Sequence, residues 1–288
     1  MEIRDLEVIT GPSLTLNTNE LILMPISDVQ CGVEACDEDR LRRHIEWGLE
    51  HDALFVGVGD YVDMAAPSDR RRLRSLEAYD PVVNAIQEKA ERDVERFLSL
   101  VDGTQGKWIG LVQGHHYMAF YDGTTSDTRI ATALDAPFLG DCAIVNIDLH
   151  DQEHGLKTTA SVWFHHGQGS SSSEAGPLGQ LLRAEAAWDA DVYLIGHHHK
   201  KVATKKPRAS GRTGSLVVEN KLLACTGSFM KGYLQGSQHD GRPGGAYPEV
   251  RMLPPVTLGG VVIYMRPVAQ PDSQTRRTRT RLDMDVML

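Results

Sequence analysis

Five times along this chain a short apolar run stops abruptly on a side chain able to bind a metal or carry a proton. Residues 20–26 give way to Ser27-Asp28-Val29-Gln30, and 53–58 to Gly59-Asp60-Tyr61-Val62-Asp63. Residues 108–112 lead into Gln113-Gly114-His115-His116, 159–164 into His165-His166-Gly167, and 192–195 into Gly196-His197-His198-His199. Runs of this length and composition read as buried strands. In α/β folds chemistry collects at the carboxyl ends of strands, so stacking these strands would bring distant residues onto one rim.

The segments between them fit that alternation. Residues 37–52 place Leu41, Ile45 and Leu49 four apart behind a first turn of acids, which predicts an amphipathic helix. Residues 81–101 carry Val82, Ile86, Ala90, Val94, Phe97 and Val101 on one helical face, with Pro81 at the start and Gly103 as a C-terminal cap. A further strand is expected over 143–148, and a helix over 181–188 behind a Gly/Ser-rich loop, 167–179. With 288 residues, the chain reads as one domain, 1–270, followed by a flexible Arg-containing tail, 271–288.

A net charge of −9 argues against a surface that coats nucleic acid, since such binding depends on neutralising phosphates. Two basic stretches stand out, Lys200, Lys201, Lys205, Lys206, Arg208 and Arg212, and Arg276, Arg277, Arg279 and Arg281. Solvated loop and tail charge is the simpler reading of both, with nucleic-acid contact as the alternative. Cysteines 31, 36, 142 and 225 form no CxxC pair, and no apolar leader or membrane span is seen, which points to a cytoplasmic protein with no membrane partner. Neither a Gly-x-Ser-x-Gly elbow nor a Walker-type phosphate loop occurs.

Taken singly, each motif has an ordinary explanation, because strand-end aspartates often cap helices and isolated histidines are common. Taken in order, Asp28-x-Gln30, Gly59-Asp60-x-x-Asp63, Gly114-His115-His116, His166-Gly167 and Gly196-His197-x-His199 resemble the signature of the calcineurin-like metallophosphoesterases. Downstream, Thr226-Gly227-Ser228-Phe229, Lys231-Gly232-Tyr233, Tyr247, Pro254-Pro255 and Leu258-Gly259-Gly260 are similar to phage- and prophage-associated members.

The resemblance implies a four-layer α/β/β/α sandwich with two mixed sheets, hydrolysing phosphate esters with two divalent ions, Mn²⁺ first, with Mg²⁺, Zn²⁺, Fe²⁺ or Ni²⁺ as alternatives. By motif position, Asp60 would bridge the ions. Asp28, Gln30 and His199 would complete one site, and His115, His166 and His197 the other, with His165 as the alternative to His166. His116 is the implied proton donor to the leaving oxygen. Asp63 would orient a partner by hydrogen bonding or contact metal. His198 is expected to be a bystander, because extended backbone would turn it away from its neighbours.

Two positions depart from the family pattern. Gln30 stands where histidine is usual and offers an amide oxygen, which favours harder ions, or else hydrogen-bonds water or substrate. His115 replaces asparagine and acts in the opposite sense. Tyr117 replaces a supporting acid, leaving His116 less firmly oriented unless another carboxylate reaches it. The expected function is therefore a phosphodiesterase or nuclease acting on a phosphate ester, nucleotide or nucleic acid. The alternatives are a phosphomonoesterase or a non-catalytic metal-binding or assembly module of the same fold.

Overall fold

The computed structural model describes residues 13–64, 80–210, 216–233, 238–239, 242–243, 252–271 and 278–288. Arg212, Tyr247, Arg276 and Arg277 lie outside the described residues. The apolar runs become strands β2 (Leu21–Ile26), β3 (Leu54–Gly57), β4 (Trp108–Leu111), β6 (Leu156–His165) and β7 (Val192–Ile195). To these are added β1 (Leu14–Leu16), β5 (Cys142–Asp151), β8 (Lys201–Ser210), β9 (Val217–Ser228), β10 (Gln238–His239), β11 (Arg242–Pro243), β12 (Gly259–Gly260), β13 (Val262–Pro271) and β14 (Thr278–Met287). The helices among the described residues are α1 (Glu38–Glu50), α2 (Asp80–Leu100), α3 (Ser126–Ala133) and α4 (Ala175–Ala187).

Two mixed sheets form. One runs β14-β13-β2-β3-β4, with β2, β3 and β4 parallel to one another. The other runs β1-β5-β6-β7-β9-β12, with β8 also on β9, and β6, β7 and β9 parallel. Strand alternation assigns the faces. Leu21 and Leu23 of β2 join Val162, Phe164, Val192 and Leu194 in an apolar layer between the sheets. On the outer face of the smaller sheet, Met24 and Ile26 pack with Leu41 and Ile45 of α1, Phe97 of α2 and Ile130 of α3. Trp163, Tyr193 and Leu223 of the larger sheet pack outward against Leu181 and Ala184 of α4. Helices thus cover both outer faces, and the carboxyl ends of β2, β3 and β4 meet those of β6 and β7.

Several expectations change. Of the segment expected to be a flexible tail, Thr278–Met287 is instead strand β14, which pairs with β13 over ten residues, from Val262↔Met287 to Pro271↔Thr278. Its Leu282, Met284 and Val286 alternate onto the apolar layer, so Arg279, Arg281, Asp283 and Asp285 fall on the other face of the strand. Of the basic stretch after His199, Lys201, Lys205, Lys206 and Arg208 lie in strand β8, antiparallel to β9, rather than in a loop. Helix α4 starts at Ala175, well before residue 181. Pro177 fits its first turn, where backbone N–H groups lack intrahelical partners.

Candidate metal centre

The turns beyond these strands are locked together by their own backbones. The amides of Asp28 and Val29 donate to the carbonyls of Gly59 and Asp60, and Asp63 N–H donates to Cys31. Gly196 N–H donates to the His166 carbonyl, and Phe229 N–H to that of Asp28. Of the eight non-glycine residues with positive φ among the described residues, five lie here: Asp28 (50°), Gln30 (53°), Asp60 (55°), His197 (66°) and His199 (54°). The backbone at His197 and His199 is therefore left-handed, not extended as the sequence reading supposed. The outcome for His198 is the same, since its Nε2 lies 2.8 Å from the Gln180 amide on α4.

Glycine is required where these turns touch. Gly59 has φ +93°, and a Cβ there would lie 2.6 Å from His166 Nδ1. At Gly114 a Cβ would lie 2.0 Å from the Asp60 backbone nitrogen. Both contacts are far inside van der Waals range, so these two residues allow the turns carrying Asp60 and His115 to close on each other.

The side chains converge accordingly. His115, His166 and His197 bring ligating atoms within 4.8 Å of one another, and so do Asp28, Asp60 and His166. His166 Nδ1 lies 2.8 Å from the Val58 carbonyl, which can only accept, so Nε2 is the nitrogen left facing the cluster. His197 Nε2 meets the Gly169 carbonyl at 2.5 Å by the same logic, turning Nδ1 towards His115 Nδ1 at 3.2 Å. His199 Nε2 is 3.3 Å from Asp28 Oδ1, and its Nδ1 is 3.2 Å from Ser228 Oγ. Gln30 Nε2 donates to Asp60 Oδ2 at 3.0 Å. Asp60 Oδ1 accepts from the amides of His115 and His116.

His165 sits apart from this group. Its Nδ1 accepts from Gly167 N–H at 2.7 Å, and its ring stacks parallel to Trp163. Of the two histidines, His166 is the one within the cluster. His116 stands beside the cluster with Nδ1 2.6 Å from Asp63 Oδ1. Asp63 thus supplies the carboxylate that Tyr117 does not. No cysteine belongs to either candidate group among the described residues.

Electrostatics divides these groups into two kinds. Burial opposes ionisation of Asp28 and Asp60, but neighbouring histidines outweigh it and hold both carboxyls below their usual range. Burial also disfavours charge on His166 and His199, yet Asp60 and Asp28 raise both. Burial and the positive neighbour His166 instead push His115 down to about 4, and lower His197. For His116, burial is outweighed by the Asp63 hydrogen bond and the charge of Asp60, which raise it.

Gln30 Oε1 is buried with no hydrogen-bond partner, and the buried Asp28 Oδ1 and His166 Nε2 each meet only an ion-pair neighbour outside hydrogen-bond geometry. Those neighbours are Asp60 Oδ2, 3.2 Å from His166 Nε2, and His199 Nε2, 3.3 Å from Asp28 Oδ1. Buried polar atoms are normally hydrogen-bonded, so a bare amide oxygen beside two loosely met carboxylate–imidazole pairs is a place that could receive a further group. Gln30 Oε1, Asp28 Oδ1 and His166 Nε2 can each present a lone pair, alongside two further imidazoles, which suits a divalent cation.

The rest of the surface narrows the choices. Lys205 pairs with Asp285, Lys206 with Glu185 and Arg208 with Asp189. Lys200 is buried with its Nζ on the Ser172 carbonyl. The stretch offered as a nucleic-acid contact therefore has these four cations already engaged. A cavity of about 410 Å³ lies at the opposite rim, near the start of β2 and β3, and contains none of the cluster residues. Sequence reasoning missed Ser228, which binds both His199 and the Asp28 carbonyl, although its Thr226-Gly227-Ser228 segment had been singled out. No model of a known protein family matches this chain, and neither does any curated protein.

Proposed function

We propose that this protein is a dinuclear metal-dependent phosphoesterase of the calcineurin-like type, acting on phosphodiesters. The observation that carries the reading is the convergence of the ligating atoms of Asp28, Asp60 and His166, and of His115, His166 and His197, within 4.8 Å, beside the unpartnered Gln30 Oε1. Asp28, Gln30, Asp60 and His199 would hold one ion, and Asp60, His115, His166 and His197 the other. When bound, such a pair supplies an activated water and charge stabilisation at phosphorus. Mn²⁺ is the first choice because the Asp28 and Gln30 side presents oxygen ligands.

The chain's own residues have distinct tasks in this reading. Asp63 holds His116 by Nδ1, leaving Nε2 to deliver a proton to the departing oxygen. Val58 and Gly169 fix the ring nitrogens of His166 and His197, and Ser228 steadies His199. The pairing of Lys205, Lys206 and Arg208 with acids favours a small diester or nucleotide over a polymer.

The test is hydrolysis of bis(p-nitrophenyl) phosphate and of p-nitrophenyl phosphate by metal-stripped protein with Mn²⁺, Mg²⁺, Zn²⁺ or Ni²⁺ restored, beside Asp60→Asn. Metal-dependent diester turnover that disappears in the variant supports the proposal. Turnover of the monoester alone would make the protein a phosphomonoesterase. Absence of turnover with either ester, while an ion still binds, would leave a non-catalytic metal-binding module.

A further inference from the structure

The turn that carries His115 and His116 is gripped by two carboxylates. His115 N–H and His116 N–H both donate to Asp60 Oδ1, at 2.5 and 3.0 Å. The preceding amide, Gly114 N–H, donates instead to Asp127 Oδ2 at 2.9 Å. Three successive backbone donors are thus shared between two buried acids, Asp60 at 3% exposure and Asp127 at 1%.

Asp127 lies in the first turn of α3, where an acid ordinarily faces solvent and interacts with the helix dipole. Here it points inward. Its Oδ1 accepts from Ser126 Oγ at 3.0 Å, and that hydroxyl oxygen accepts from Met118 N–H at 3.1 Å. Ser126 N–H in turn donates to the Met118 carbonyl. The start of α3 therefore holds the segment 114–118 at both ends, with the two histidines between. Burial pushes the Asp127 carboxyl up to about 6, against the pull of the Gly114 amide and Ser126 hydroxyl. A group buried at that cost is not placed for solubility.

We infer that Asp127 is a positioning residue, which fixes the 114–116 turn and so sets the place of the His115 ring edge-on to His166 and His197. Its importance for catalysis rests on the phosphoesterase reading, but its hold on the turn does not. Outer groups of this kind are typically worth about 10- to 100-fold in metal affinity.

The full-length, metal-free chain with Asp127→Ala or Asp127→Asn would be followed by residue-resolved amide exchange and by calorimetric titration with Co²⁺. Asp127→Ala is expected to lower protection of amides 114–116 by about tenfold or more while β2 and β5 keep theirs, and to weaken Co²⁺ by about tenfold. Asparagine retains an acceptor oxygen and is expected to restore both to within about threefold. An unchanged turn in Asp127→Ala, or an equal loss of protection throughout the protein, would overturn the inference. Should alanine prevent folding, Asp127→Glu displaces the carboxylate by one carbon, and retention of turn protection and affinity there would overturn it equally. Wild-type protein that binds no Co²⁺ would defeat the phosphoesterase reading, while the exchange pattern still decides the role of Asp127.

Discussion

Asp63 Oδ1 lies 2.6 Å from His116 Nδ1, closing a contact between the turn after β3 and the turn after β4. Met64 N–H reinforces it by donating to the His116 carbonyl. In the proposed reaction His116 acts while protonated, and Asp63 keeps it protonated to higher pH. Asp63→Asn is expected to lower kcat by about 10- to 100-fold and move the alkaline limb of the pH–rate profile to lower pH. A profile measured with the diester checks this, and an unmoved limb would remove His116 from the role of acid.

Metal binding is expected to release protons. His166, up to about 9, and His199 are held above the ordinary histidine value, burial being outweighed by Asp60 and Asp28, so in the metal-free protein both keep their protons to higher pH than a free imidazole. A cation must displace them, and apparent affinity therefore rises with pH. Calorimetry in buffers of different ionisation enthalpy measures the release. Heats independent of buffer would contradict it.

His44 on α1 introduces an acid-sensitive element away from the cluster. Its Nε2 is buried without a partner, and burial together with Lys201 pushes the ring down to about 4. An unfolded histidine titrates near 6.5, so the stability this residue contributes is full above about pH 6.5 and is lost as pH falls towards 4. The loss amounts to about 2 kcal/mol by pH 5. Urea denaturation at pH 7.5 and 5 should show it, and His44→Leu should flatten that part of the difference.

Met284→Ala tests whether β14 belongs to the core. Met284 is 5% exposed in the layer between the sheets, and its truncation is expected to cost about 2 to 4 kcal/mol. A denaturant midpoint that does not move would return residues 278–287 to the status of an appendage.

Much of this arrangement was legible because strand ends leave a sharp signature. The runs before Asp28, Asp60, His115, His166 and His197 all became strands or strand extensions, and their parallel order explains why the polar residues meet. Other parts were hidden for physical reasons. In β14, Leu282, Met284 and Val286 alternate with charges, but the arginines dominated the reading and concealed the period of two. In β8 the lysines and arginine likewise suggested solvent, although Glu185, Asp189 and Asp285, distant in sequence, engage three of them. Asp127 sits in an unremarkable Ser-Asp-Thr helix start, and its inward direction depends on Gly114, thirteen residues earlier.

The left-handed turns at Asp28, Gln30, Asp60, His197 and His199 bear on any attempt to transplant this centre. A non-glycine residue in that conformation costs on the order of 1 kcal/mol or more, so five of them approach the lower end of a whole domain's net stability. Two sheets joined at their rims supply the restraint that keeps all five in place. Copying the seven side chains onto a scaffold of relaxed loops would reproduce the list of candidate ligands without their directions. A faithful graft has to carry the strand ends with it.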